Sequence, residues 1–210
     1  VDAVVKVGGS LLATGSLPPL LAKLGELSAS HRLVVVPGGG PFADAVRGAC
    51  SMHDPGGTAA HWMAVLGMEQ HAHLLASLLP RARLATGPEE IADALAASHL
   101  PVLAPFRWLR ETDPLPHGWD VTSDSIAAWV AGRLSARRLV LLKSLDGVPG
   151  AGGAVLGSVL LRSASLAGIV DEYLEHAVPA GLECWVLSGR EPQRLAELLR
   201  EGRTRGTRLR

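Results

Sequence analysis

Val4-Val5-Lys6-Val7-Gly8-Gly9-Ser10-Leu11-Leu12 is a β-branched run, broken by one lysine, that empties into two glycines and a serine. Helix-forming residues follow within a few positions, so the stretch predicts a strand, a tight loop and a helix in that order. Glycines let backbone N–H groups approach an anion, a following helix adds the positive end of its dipole, and Lys6 adds a full charge. The same residues also suit an ordinary turn at a strand end.

The unit recurs. Arg32-Leu33-Val34-Val35-Val36 reads as a buried parallel strand that runs into Pro37-Gly38-Gly39-Gly40-Pro41, with a helix from about Phe42 to Cys50. A third strand, Arg138 to Lys143, ends on a lysine, and Ser144-Leu145-Asp146-Gly147-Val148 turns away from it. In open parallel sheets, ligands sit at the carboxyl ends of the strands. The basic residues number 20, yet only Lys6, Lys23 and Lys143 are lysine. A lysine at a strand end in an arginine-using chain marks a place where a compact ammonium on a flexible stem works better than a planar fork.

The 210 residues suit one compact domain or two closely joined lobes. Hydrophobic residues make up 48%, but no run approaches the ~20 apolar residues of a membrane span. Twenty basic residues balance twenty acidic ones, so no overall field draws the chain to nucleic acid or an acidic membrane. The Arg200 to Arg210 tail reads as a solvated end or a local phosphate patch. Cys50 and Cys184 form no CxxC, and the first residues lack signal-peptide features, which together imply a reducing, cytoplasmic setting.

His53 to Gly57 is a break, and a long helix is expected from Thr58 to about Leu79. It carries His61, Glu69, His71 and His73, but no HExxH or paired His/Cys spacing, so a metal site is not expected. A strand at Arg83 to Ala85, a helix from Pro88 to Ala97 and a strand at Pro101 to Leu103 follow. Residues 105 to 120 show no regular pattern; two tryptophans, two arginines and a histidine there suit a substrate wall or aromatic loop packing. Val121-Thr122-Ser123-Asp124 opens another helix, with Asp124 a cap or a functional carboxylate. Gly150 to Gly157 looks mobile, and a helix over Leu166 to Ala177, a strand at Glu183 to Leu187, a helix over Pro192 to Arg200 and a closing segment at Gly206-Thr207-Arg208 complete the chain.

In this order, Lys6 to Ser10, Pro37 to Gly40, Asp120 to Asp124, Leu142 to Val148, Ser188-Gly189 and Gly206-Thr207 resemble the amino acid kinase family. The resemblance implies an α/β fold, a three-layer αβα sandwich around a mostly parallel twisted sheet. It implies an acceptor lobe over about residues 1–120 and an ATP lobe over about 121–210. Lys6 and Lys143 would contact the migrating phosphoryl group and Asp124 would orient them, a logic that suits a reaction demanding in-line positioning and positive charge. Gly8, Gly9, Ser10, Ser144, Asp146 and Gly147 would meet ATP, and Gly38, Gly39 and Gly40 the acceptor. ATP and Mg²⁺ would be the cofactors, with the metal riding on the nucleotide and no dedicated metal site; the partners would be a small phosphorylated substrate and further copies of the chain.

Within the family, Asp113 to Ala128 and the Met63 to Gln70 helix are most similar to the branch that phosphorylates [5-(aminomethyl)furan-3-yl]methyl phosphate in making methanofuran. For such an acceptor, Trp119 or Trp108 would face the ring, Asp44 or Asp113 the ammonium, and Arg107 or His117 the first phosphate. Asp120 stands where many relatives carry asparagine, and would serve a different acceptor or cap the helix. UMP, isopentenyl phosphate or an amino acid carboxylate are the alternative acceptors, and a non-catalytic nucleotide-binding protein of the same fold is the third reading.

Overall fold

The computed structural model describes residues 1–13 and 15–210. Eight strands among them form one sheet: β1 (Ala3–Val7), β2 (Leu33–Pro37), β3 (Ala82–Ala85), β4 (Leu100–Leu103), β5 (Arg138–Lys143), β6 (Ser158–Val159), β7 (Glu183–Ser188) and β8 (Thr207–Leu209). Their order is β3-β4-β2-β1-β5-β7-β8-β6, with every neighbouring pair parallel except β7 and β8. The helices are α1 (Leu17–Leu27), α2 (Gly40–His53), α3 (Gly57–Leu78), α4 (Pro88–Ala96), α5 (Phe106–Thr112), α6 (Ser123–Arg133), α7 (Leu174–Ala177) and α8 (Gln193–Glu201).

Alternation along the strands divides the core between two faces. Ala3, Val5 and Val7 of β1, with Val140 and Leu142 of β5, pack against the leucines of α1 and α8. Val4, with Leu139 and Leu141, faces α6, whose Ile126 to Ala128 are buried there. Helix α3 contributes to both clusters, Val65 and Met68 to one and Ala72 and Leu75 to the other. Two apolar faces covered by helices account for near-continuous hydrophobic strands, and the result is the expected αβα sandwich. Among the described residues, no helix is long and apolar enough to cross a membrane.

Two stretches differ from the sequence expectation. Residues 105–120 contain a regular element, α5, held by the Arg107–Glu111 pair and by Thr112 Oγ1 donating to the Trp108 carbonyl. The proline-rich flanks conceal this two-turn helix. The expected helix over Leu166 to Ala177 is instead a 3₁₀ turn at Ala164–Leu166 and the single turn α7. Gly168 adopts φ +71° between them, and Asp171 is drawn away to another element.

The sheet's antiparallel edge is tied to the segment between β5 and β6 by Thr207, which is fully buried. Its Oγ1 accepts from the Val148 N–H at 2.8 Å and donates to the Leu156 carbonyl at 2.6 Å. Thr207→Val keeps the shape and strips both partners, so urea unfolding should show a loss of about 1–3 kcal/mol.

Candidate active site

Strand β1 lies between β2 and β5, and the chain winds outward from it on one side before returning on the other. That reversal leaves a crevice at the carboxyl ends of the central strands. Lys6 shares the α6 side of β1 with Val4, and Lys143 shares the α6 side of β5 with Leu139 and Leu141. The register pairs Lys6 with Leu141, so Lys143 is its diagonal neighbour on the same face, within reach of a long side chain. Asp124, in the first turn of α6, meets both: Lys6 Nζ lies 2.9 Å from Oδ1, and Lys143 Nζ donates to Oδ2 at 2.6 Å.

Asp124 and Lys6 are almost wholly buried, at 2% and 4% exposed, whereas the Lys143 side chain opens on a cleft. Burial alone would raise the Asp124 pKa, but the two ammonium groups overcome it and hold the carboxyl at about 2. For Lys143, burial and then the Lys6 charge lower the pKa, Asp124 restores only part, and the result is about 8.

Two glycine turns face each other beside this triad. The Gly8 N–H donates to the Leu142 carbonyl at 2.9 Å and the Gly38 N–H to the Val7 carbonyl at 2.8 Å. Gly9 packs directly on Gly40, which adopts φ +55°, leaving no room for a Cβ at Gly9. His71, fully buried on α3, bonds through Nδ1 to the Gly38 carbonyl. Burial and the nearby Lys6 lower its pKa against that bond, so it holds the turn as a neutral Nδ1–H donor. Ser10 Oγ reaches Ser144 Oγ at 3.3 Å, linking the turns after β1 and β5.

A cavity of about 470 Å³ opens at the two glycine turns, walled by Gly9, Ser10, Gly39, Gly40, Asp44 and Trp119, with Arg47 and His61, over an apolar floor that includes Val65, Met68, Val121 and Ile126. A second cavity of about 480 Å³ lies against Lys143 and Asp124 and is walled by Asp120 and the segment 168–172; Trp119 and Thr122 border both.

Other expected residues stand elsewhere. Arg107 is exposed and paired with Glu111 at 3.1 Å and Glu90 at 3.9 Å, away from both cavities. Trp108 is buried against Trp129. Asp113 binds His117 Nε2 at 2.7 Å, and neither lines a cavity, though His117 stacks at 4.6 Å on His61, which does. Asp146 is engaged by Arg194 and Arg205, each at 3.4 Å, and Gly147 packs against Val155 and Thr207. Sequence reasoning missed His61 and Arg47 as wall residues. It also missed Asp171, whose carboxylate accepts from Thr122 and Ser125 around Asp124. Spacing along the chain carries no sign of that contact.

A crevice fold with two convergent lysines and glycine turns defines an α/β enzyme of the phosphate-handling kind. Residues 3–155 match the amino acid kinase family, and the chain belongs to it. It is 26% identical over 201 residues to the [5-(aminomethyl)furan-3-yl]methyl phosphate kinase of Methanocaldococcus jannaschii, covering 93% of this chain and 92% of that protein. The fold is similar to uridylate kinase from Archaeoglobus fulgidus (TM-score 0.75, 19% identity, all of both chains). It is likewise similar to UMP kinase from Bacillus anthracis (TM-score 0.77, 15% identity, 99% of this chain and 95% of that one). The chain is an ATP-dependent phosphotransferase of this fold.

Removing the shared anion should expose what it compensates. Asp124→Ala leaves two buried ammonium groups facing each other, and urea unfolding at pH 7 should show a loss of about 3–5 kcal/mol. In the wild type the Asp124 contribution is fully present above its ordinary pKa of 3.8 and is lost as pH falls through about 2, which acid unfolding of the two proteins should separate.

Proposed function

We propose that the chain transfers the γ-phosphoryl group of ATP to a phosphate monoester, [5-(aminomethyl)furan-3-yl]methyl phosphate, giving the diphosphate. The observation that carries this reading is the Lys6–Asp124–Lys143 triad at the carboxyl ends of β1 and β5, with Asp124 and Lys143 lining one cavity and the neighbouring Gly9, Ser10 and Ser123 lining another. Lys6 and Lys143 would place positive charge against the oxygens of the migrating group, and Asp124 would keep the two ammoniums from separating. The cavity beside Gly39 and Gly40 would hold the acceptor, and the one beside Lys143 the nucleotide, so residues 1–120 and 121–210 would form the acceptor and ATP sides.

The acceptor-side cavity supports an ammonium-bearing ring. Asp44 is the carboxylate on its wall, Trp119 is an aromatic face at its rim, and its floor is apolar. Arg47 lies over the Trp119 ring at 4.9 Å and pairs with the exposed Asp44 carboxylate at 2.7 Å, so an incoming ammonium would compete with Arg47 for it. ATP supplies the phosphoryl group, and Mg²⁺ would travel on its phosphate oxygens. The central carboxylate fits that arrangement, because both lysines already engage Asp124. Leu66, Leu74 and Leu78, exposed along α3, suit an interface with another copy of the chain.

ADP release measured across a panel of phosphate monoesters tests the acceptor. The furan compound should give the highest kcat/KM; a higher value with UMP or isopentenyl phosphate would reassign it, and a hydroxylamine-trappable product would mean a carboxylate acceptor. Lys6→Ala and Lys143→Ala should each lower kcat about 100-fold or more, with the protein still folded. Asp44→Asn should raise KM for the furan acceptor while leaving KM for ATP nearly unchanged. The rate should fall above about pH 8 as Lys143 loses its proton.

A further inference from the structure

Helix α6 begins without a cap from its own N-cap residue. Thr122 stands at that position in extended conformation, but its side chain makes no bond to the first turn. A cap residue ordinarily offers an oxygen to the N–H two or three residues on. Here that oxygen comes from Asp171, 46 residues beyond Ser125. Asp171 Oδ2 accepts from the Thr122 N–H at 2.9 Å, from Thr122 Oγ1 at 2.8 Å and from the Ser125 N–H at 3.0 Å, while Oδ1 accepts from Ser125 Oγ. These donors bracket Asp124 on both sides along the chain.

The same carboxylate belongs to the segment 168–172 that walls the cavity beside Lys143. Two residues on, the Tyr173 N–H donates to the Asp120 carbonyl at 3.1 Å, so this segment grips the start of α6 at two points. We propose that Asp171 is a positioning residue for phosphoryl transfer: it fixes the turn that aims Asp124 at Lys6 and Lys143, and it ties occupation of the adjoining cavity by a nucleoside triphosphate to that aim. The second half rests on the reading that this cavity takes the nucleotide. Asp171 also bears on the charge at the centre. Lys143 faces Lys6 from β1, Asp124 from α6 and Asp171, with Asp120 and Glu172 on the same cavity wall, and the Asp171 charge helps keep Lys143 protonated.

Asp171→Ala removes cap and charge, whereas Asp171→Asn keeps a carbonyl oxygen for the two N–H donors and drops the charge. Asp171→Ala should lower kcat about 30–100-fold with little change in acceptor KM, as expected for a misaimed catalytic group. Asp171→Asn should recover most of kcat, with its alkaline limb moved to lower pH than in the wild type. Hydrogen exchange on the full chain reads the coupling: adenylyl imidodiphosphate with Mg²⁺ should slow exchange at residues 122–126 in the wild type and fail to do so in Asp171→Ala. Wild-type kcat in Asp171→Ala, an unmoved limb in Asp171→Asn, or no nucleotide-dependent protection in the wild type would each overturn the proposal. Should Asp171→Ala not fold, Asp171→Asn and the wild-type exchange decide. A wild type that turns over none of the acceptors defeats the functional reading alone, because the exchange measurement needs no acceptor.

Discussion

One carboxylate shared by two ammonium groups is the constraint on which the centre of this molecule depends. Lys6 and Lys143 lie on neighbouring parallel strands and point to the same face, so without Asp124 they would confront each other in a region nearly closed to water. The cost of burying like charges is steep at short range and low dielectric. A single aspartate offsets most of it and leaves the cluster one positive charge in excess. Burial first, and the Lys6 charge second, bring the pKa of Lys143, the member open to the cleft, down to about 8. A site in this state attracts an anion without needing to rearrange for it.

The backbone around the triad is equally constrained. Gly9 and Gly40 bring two turns from different strands into direct contact, and His71 and the Val7 carbonyl fix Gly38 from two sides. Each turn thus takes its shape from the other, and the Ser10–Ser144 contact adds the turn after β5. The glycines serve close approach between backbones here, a demand that acts through space and leaves only a doublet or triplet of glycines as its trace in the chain.

Much of this was legible because the central strands are simple. β1, β2 and β5 are apolar runs, β1 broken only by Lys6, that lead into glycine or end on lysine, and alternation along a strand fixes which side Lys6 and Lys143 occupy once the sheet is granted. Their mutual register was not legible, since it is set by pairing across more than 130 residues. The short helix α5 hid between prolines, and the expected helix over 166–177 failed because Gly168 breaks it and Asp171 bonds to α6. Arg107 illustrates the limit of composition: it lies on α5, away from both cavities, with its exposed guanidinium held by Glu90 and Glu111. Contacts such as His61 on His117 depend on how α3 crosses the 113–120 segment, which no local pattern records.

The 470 Å³ cavity takes most of its wall from α2, α3 and the 117–123 turn, whereas the triad is supplied by β1, β5 and one residue of α6. The charged hub and the chamber beside it therefore answer to nearly disjoint sets of side chains. Evolution, or an engineer, is free to resculpt the chamber at Asp44, Ala64 or Met68 while the charges of the triad stay as they are. In a scaffold divided this way, substitutions on the faces of α2 and α3 reshape the chamber and leave the charges of β1, β5 and the first turn of α6 in place.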